Sequence, residues 1–280
     1  MVKALILCAV LLFSFVYAEE EEDLKVLLDH KIQSVIDQKT YIENKAFIHI
    51  IFTPAQNFIT DNHVNTIKVL TTLKENGLLQ LFFKKPTKMQ YSFISNTSPI
   101  FFVKIVGDAL RDIGYFRFMT QSADYSTEKF EWNVNITSEY AIDPVIFQKE
   151  LAKTGCKIVD VERLSGTRWI YVIDMFNAKL DVKKLQTEQK TELKRSLSPY
   201  WFDVSAVSKL RIISKAGNNW FPDISYYDQL LHLIKVTKKD RKIYDITVNI
   251  PKKAKYIKIS DIYTMKNLKN SLILYPSGSR

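Results

Sequence analysis

The sequence has very little cysteine, the residue on which small extracellular domains commonly depend. Only Cys8 and Cys156 occur in 280 residues. Cys8 lies in an N-terminal segment that we predict to be removed, so the remaining chain cannot form an internal disulfide. Because small extracellular domains usually rely on disulfides, this absence favours a bacterial periplasm over an animal extracellular setting.

Glycine and histidine are also scarce, and their spacing matches no catalytic or metal-binding motif. The seven glycines form no phosphate-binding loop and no Gly-x-Ser-x-Gly turn, and the four histidines lie far apart. We therefore expect no metal, no cofactor and no enzymatic activity. A pair of carboxylates brought together by folding stays open as a catalytic alternative. Cys156 follows a glycine that ends a predicted helix, which indicates a buried, unreactive thiol.

Long hydrophobic runs are missing except at the N-terminus. One apolar run extends from Ala4 to Val16, after Lys3 and before the small residue Ala18. A basic residue, then an apolar run, then a small residue is the order typical of a secretion signal. The run is shorter than the roughly 20 residues that span a bilayer. We predict cleavage between Ala18 and Glu19, export to the periplasm, and no transmembrane segment afterwards. An uncleaved anchor is the alternative.

Positive charge is concentrated near the C-terminus. Residues 235–269 hold 11 Lys and Arg against three Asp, a net charge of +8, whereas residues 19–234 sum to zero. Such a segment predicts an anionic partner, either a surface or a polymer. Export argues against nucleic acid. A solvated face that blunts edge strands is the alternative. The basic residues that we single out are Lys252, Lys253, Lys255 and Lys258.

Three glycines mark a repeat. Gly77, Gly114 and Gly155 each follow a leucine by four residues, at the end of an apolar segment with helical spacing. Each is expected to adopt the left-handed conformation that ends a helix. The helices are expected to begin at Asp61, at Ser98-Pro99 and at Asp143-Pro144, where a capping side chain precedes the first turn.

A strand pair is predicted after each glycine, and one strand before the first helix. The alternation of apolar and polar residues gives one buried and one wet face. The first pair is expected to turn at residues 84–87, and the third at Ser165-Gly166. The predicted strands are Ala46–Thr53, 78–83, 89–93, 115–120, 130–136, 156–162 and 169–173.

This α+β order resembles the ferredoxin-like βαββαβ plan and the βαββ modules of ring-forming machines in bacterial envelopes. The resemblance covers residues 46–175 and rests on the order of helices and strands. It implies a two-layer fold with helices on one face of a sheet. It also implies assembly into a large complex, such as a flagellar-motor scaffold or a secretion machine.

The C-terminal part has the period of strands. Residues 178–199 are charged and predict a partly helical linker. From Tyr200 to residue 276 apolar residues alternate, for example at Tyr244, Ile246, Val248 and Ile250, which favours an all-β sandwich. Segments 216–222 and 254–261 resemble galactose-binding jelly rolls.

Aromatic and amide residues near predicted loops form a second candidate site. Flat aromatic rings beside amides occur both in sugar sites and in protein interfaces. The alternative is that Trp220 and Tyr227 belong to the sandwich core. The residues of this candidate site are Trp201, Asn218, Asn219, Trp220, Tyr226 and Tyr227.

The sequence thus predicts five segments, namely a signal peptide (1–18), an acidic segment with a helix (19–45), an α+β repeat region (46–177), a linker (178–199) and a β-sandwich (200–276). The preferred function is that of a non-enzymatic periplasmic protein that assembles with other envelope proteins. Association of this chain into an oligomer is left open. The alternative is a glycan-binding protein that acts through the sandwich.

Overall fold

A computed structural model describes residues 22–126 and 129–280. The chain divides into two compact units between Ala178 and Lys179. The signal peptide and the cleavage site at Ala18 and Glu19 lie outside the described residues. No helix in the described part of the chain is both long enough and apolar enough to cross a membrane.

The described residues of the first unit form six α-helices. Helix α1 confirms the helix predicted within residues 19–45, and its Leu28 and Ile32 are buried at helical spacing. The helices are α1 (residues 22–35), α2 (Gln38–Glu43), α3 (Lys45–Ile51), α4 (Thr66–Glu75), α5 (Pro99–Asp112) and α6 (Pro144–Lys153). A short 3₁₀ helix, Ala55–Phe58, follows α3.

The predicted starts of α5 and α6 are confirmed. Ser98 precedes α5 and Asp143 precedes α6, each followed by proline in the first turn. The side chain of Ser98, however, forms no capping hydrogen bond with the described residues of α5. The Asp143 carboxylate accepts hydrogen bonds from the backbone N–H of Val145 and Ile146, which otherwise have no partner within the helix. Lys74 of α4 forms an ion pair with Asp143 at 2.5 Å, which joins α4 to this helix start.

The strands of the first unit form a small ladder and a five-stranded sheet. The five-stranded sheet has the order β4-β5-β3-β7-β6, and all its neighbours are antiparallel except the parallel pair β3 and β7. The ladder is made by β1 (Ile59–Thr60) and β2 (His63–Val64), and the sheet by β3 (Phe82–Ser95), β4 (Phe118–Tyr125), β5 (Phe130–Tyr140), β6 (Lys157–Ser165) and β7 (Arg168–Asp174).

One face of this sheet packs on helices, and the opposite face is polar. The core contains Phe93 of β3, which lies 5.7 Å from the ring of Phe147 in α6. On the polar face Asn133 donates a hydrogen bond to Ser122, and Gln90 donates one to Gln121. This alternation confirms the buried and wet faces predicted for β5.

The strand predicted at Ala46–Thr53 is wrong, because this segment forms α3. Its residues are apolar at almost every position, so the pattern alone does not distinguish a strand from a helix. Ile48 and Phe52 are buried and lie four residues apart, whereas Ile50 is 69% exposed. Burial with a spacing of four is the helical pattern.

The first repeat unit differs from the other two. Instead of a hairpin with a turn at residues 84–87, one long strand, β3, continues through Pro86. The pairing with β5 shifts register between Phe82 and Thr87, and a bulge of this kind accommodates proline, which cannot donate a backbone hydrogen bond. The predicted repeat of three helix–hairpin units is therefore formed only twice.

The predicted start of α4 at Asp61 is also wrong. Asp61 and Asn62 have φ angles of 50° and 61° and form the turn between β1 and β2. The helix begins at Thr66, and the side chain of Asn65 accepts a hydrogen bond from the Lys68 backbone N–H. Asparagine caps a helix as readily as aspartate does, so both positions fitted the pattern.

The second unit consists of two antiparallel four-stranded sheets packed as a sandwich, as the period-2 pattern predicted. The sheets have the orders β13-β10-β15-β8 and β12-β11-β14-β9. The strands are β8 (Thr191–Leu193), β9 (Tyr200–Asp203), β10 (Val207–Ser214), β11 (Pro222–Tyr227), β12 (Leu233–Lys238), β13 (Asp245–Asn249), β14 (Tyr256–Asp261) and β15 (Leu272–Ser279). A 3₁₀ helix, Met265–Asn267, precedes β15.

The segment expected to be a linker is part of this sandwich. None of the described residues 179–199 is helical, and β8 within it pairs with β15. Leu185 and Leu193 are buried in the same hydrophobic cluster as Trp220 and Ile257. The many charged residues of segment 178–199 indicate an exposed connector, but an edge strand also carries charges on its outer side.

Candidate functional site

A cleft lies between α1 and the α2–α3 pair in the described residues. Its volume is about 910 Å³, within the range of ligand pockets. Apolar side chains form its floor, including Leu28 and Ile32 of α1, Ile48 of α3, and Phe52 and Ala55 just after α3. The cleft can therefore receive an apolar group.

Polar groups lie on the rim of this cleft. Tyr41 of α2 donates a hydrogen bond of 2.6 Å to Asp29 of α1, and Gln33 donates one of 2.7 Å to the same carboxylate. The bond to Asp29, together with burial, raises the pKa of Tyr41 to about 12. Tyr41 thus stays protonated at neutral pH and holds α2 against α1, which fixes one side of the cleft.

Helix α1 is also attached to the sheet. Lys31 forms an ion pair of 2.6 Å with Asp160 of β6, and Thr66 donates a hydrogen bond to the same carboxylate oxygen. The Lys31 side chain is only 14% exposed, so this pair is less screened by water than a surface pair. Helix α1, which forms one side of the cleft, is therefore anchored by two interactions, Asp29 with Tyr41 and Lys31 with Asp160.

The same three helices also carry exposed apolar side chains. Val26 of α1 lines the cleft and is 64% exposed, and Ile50 of α3 is 69% exposed. Leu27, Ile42 and Phe47 are further exposed apolar residues of these helices. Apolar surface of this kind is typical of sites that bind proteins or membranes.

Sequence reasoning missed this cleft. The sequence predicts a helix within residues 19–45 but a strand over Ala46–Thr53, so it predicts no groove between helices. Ile48 and Phe52 lie four residues apart, which fits a helix as well as the spacing of the apolar residues in α1 does. This spacing is the signal that could have indicated the cleft.

Two of the six predicted aromatic and amide residues meet on the outside of the sandwich. The ring centroids of Trp201 and Tyr227 are 5.1 Å apart, and both side chains are half-buried. Trp201 is on β9 and Tyr227 on β11, so the two rings meet across β14, whose Tyr256 is buried. They form a partly exposed aromatic surface.

The remaining four residues lie elsewhere. Trp220 and Tyr226 are fully buried in the core, and the Trp220 indole N–H donates to the Ser260 carbonyl. Asn218 is buried and accepts a hydrogen bond from the Asn270 backbone N–H, which fixes a loop. Asn219 is half-buried beside this loop. The six residues therefore do not share one surface.

The four predicted lysines, like the six aromatic and amide residues, do not form one exposed group. Lys252 and Lys253 are exposed in the turn before β14. Lys255 forms an ion pair of 3.1 Å with Asp203, and Lys258 lies on the outer face of β14 opposite Trp201. Only Lys252 and Lys253 are adjacent and exposed, and their binding to an anionic partner remains a prediction.

The residues of chemical interest are dispersed. Cys156 is buried, and burial raises the pKa of its thiol, so little thiolate is present at neutral pH. Within residues 22–126 and 129–280, no group of three His, Cys, Asp or Glu side chains is placed to hold a metal ion.

Comparison with known proteins gives little. No protein-family model and no curated protein matches the sequence. A crystal structure of a two-domain protein of unknown function from Bacteroides fragilis aligns with 70% of this chain and 81% of its own, at 10% identity and a TM-score of 0.18. A score this low carries no argument about fold or function.

Proposed function

We propose that this chain is a non-enzymatic periplasmic protein that assembles with other envelope proteins, as in a flagellar-motor scaffold or a secretion machine. In this proposal the cleft between α1 and α3 holds an amphipathic helix of a partner protein. The observation that carries the proposal is the apolar cleft of about 910 Å³, formed by helices that also carry exposed apolar side chains.

A helix fits this surface better than a small molecule does. A small ligand is enclosed by its pocket, whereas here the lining residue Val26 is 64% exposed and Ile50 of α3 is 69% exposed. An amphipathic helix presents apolar residues at intervals of three and four and fills such a groove along its length. The rim carries both acidic and basic groups, among them Asp29 and Lys45, which suits a partner of mixed charge.

The proposal also includes the fold of each unit, ferredoxin-like for the first and a jelly roll for the second. The elements β3-α5-β4-β5-α6-β6 follow the βαββαβ order of ferredoxin-like modules, with β7 added between β6 and β3. In the second unit, every connection except that from β11 to β12 crosses between the two sheets, which supports a jelly roll with eight strands.

Photo-crosslinking in the native envelope tests the cleft. A photoreactive phenylalanine analogue at Val26 should crosslink to one envelope protein, and mass spectrometry should locate the attachment in an amphipathic helical segment. A synthetic peptide of that segment should bind the purified chain, and Val26→Glu should weaken its binding, because a carboxylate would be placed against an apolar face.

The matched control is Ile100 of α5, an apolar residue with a similar exposure of 61% outside the cleft. The same analogue at Ile100 should not capture that protein, and Ile100→Glu should leave peptide binding unchanged. Equal crosslinking from both positions, or no protein captured at Val26, would refute the cleft as the docking site.

Glycan binding by the second unit is the second candidate. The observation that favours it is the partly exposed pair of Trp201 and Tyr227, since sugar rings stack on flat aromatic side chains. Retention of the protein on peptidoglycan or on a sugar array should then fall with Trp201→Ala. Tyr244→Ala is the control, because Tyr244 is 55% exposed at another position. Unchanged retention in Trp201→Ala would exclude this pair as a sugar site.

A further inference from the structure

Strand β4 is an open edge of the five-stranded sheet. Among the residues that the structure describes, β4 pairs with β5 alone, so its other side presents backbone N–H and C=O groups to a further strand. It is eight residues long and holds a single charged residue, Asp124, with no lysine, arginine or proline. Met119 and Tyr125 are each 70% exposed. Long, weakly charged edges of this kind pair with other strands.

The opposite edge of the same sheet is protected. Strand β6 contains Lys157, Asp160, Glu162 and Arg163, and its pairing with β7 shifts register twice. Lys31 of α1 and Thr66 of α4 both bond to Asp160, so helices cover part of this edge. Charges, bulges and covering helices are the features that prevent edge pairing. The sheet therefore has one edge that is open and one that is blocked.

We propose that β4 pairs with β4 of a second copy of this chain, antiparallel and about a twofold axis, to give a continuous ten-stranded sheet. A twofold contact between identical strands closes on itself. Because β6 is blocked, the pairing stops at a dimer and does not continue into a filament.

The pattern of faces on β4 selects one register. Phe118, Thr120, Ala123 and Tyr125 lie opposite β5 residues of the helix-covered face, whereas Met119, Ser122 and Asp124 lie opposite those of the polar face. Gln121 sits at the register shift and bonds to Gln90 on the polar face. When the twofold axis passes between Gln121 and Ser122, each residue pairs with a residue of the other copy that lies on the same face of the sheet. A continuous sheet requires this match of faces. The resulting pairs are Phe118 with Tyr125, Met119 with Asp124, Thr120 with Ala123, and Gln121 with Ser122.

Charge agrees with this register. Asp124 of one copy lies opposite Met119 of the other and diagonal to Arg117, which is exposed just before β4. Diagonal neighbours on one face are within reach of a long side chain such as arginine. The twofold axis produces this attraction twice, and it keeps the two copies of Asp124 apart.

Disulfide trapping tests the axis. Gln121→Cys places two thiols next to the twofold axis, at a separation that a disulfide spans. Mild oxidation of the purified mature protein should therefore give a covalent dimer in high yield. Leu164→Cys on β6, where Leu164 is 54% exposed, is the control and should stay monomeric. The native thiol, Cys156, is buried and should not react.

Charge exchange tests the register without a covalent bond. Asp124→Lys should weaken the dimer roughly tenfold in analytical ultracentrifugation, because it sets a lysine against Arg117 of the other copy at two places. Adding Arg117→Glu should restore association, since the attraction is then formed with the charges reversed. A monomeric wild-type protein at micromolar concentration, equal disulfide yields from both cysteine variants, or no rescue would each overturn the proposal. These measurements need no partner protein, so their outcome is independent of the cleft.

Discussion

At the residue scale, three glycines in the left-handed conformation follow helices of the first unit. Gly77, Gly114 and Gly155 have φ angles of 72°, 103° and 77°, and each follows a helix as predicted. A side chain in this conformation places its Cβ close to the backbone, so glycine is strongly preferred. The signal is local, and for that reason it did not depend on the tertiary packing that changed the assignment of α3.

Replacing Gly114 with alanine should destabilise the first unit by roughly 1 kcal/mol or more, because alanine is strained at a φ of 103°. Gly107 is the matched control, since it lies inside α5 and a Cβ there would meet only ordinary contacts, the nearest at 3.6 Å from Phe118. Gly107→Ala should leave stability equal or slightly higher, because alanine is the better helix former. Urea unfolding curves of both variants give the comparison. Equal losses would mean that the conformation of Gly114 does not matter.

At the element scale, the predictions held where a proline followed the capping residue or where a clear period defined an element. Asp143 with Pro144 marked the start of α6, and alternation marked β5 and the strands of the sandwich. They failed where two structures satisfy the same pattern. An almost continuous apolar segment such as residues 46–53 suits a strand or a helix, and only burial against α1 decides between them.

Both candidate sites depend on features that the sequence pattern does not decide. The cleft depends on α3 being a helix, so it could not be inferred from the sequence once that segment was read as a strand. For the aromatic site, alternation predicted the strands but not which aromatic residues face the core and which face outward. Trp220 lies in the core, whereas Trp201 and Tyr227 meet on the outside across an intervening strand.

At the scale of the whole molecule, the division between the two units falls earlier in the chain than composition suggested. The charged residues after 178 indicated a linker, yet Leu185 and Leu193 are 1% and 6% exposed within the sandwich core. Charge counts average over both faces of an edge strand, so they hide the few apolar residues that face inward. The second unit accordingly needs residues 179–199 to complete its core.

A fragment of residues 179–280 should therefore fold alone, with a cooperative thermal transition and dispersed amide signals in NMR spectra. A fragment of residues 200–280 should be far less stable or unfolded, because it lacks β8 and both leucines. Within the longer fragment, Leu193→Ala should cost about 2–5 kcal/mol, as expected for a large core residue. Leu197→Ala is the control in the same segment, since Leu197 is 68% exposed and should change stability by less than about 0.5 kcal/mol. Equal melting temperatures for the two fragments would show that residues 179–199 contribute nothing to the sandwich and would restore the linker interpretation.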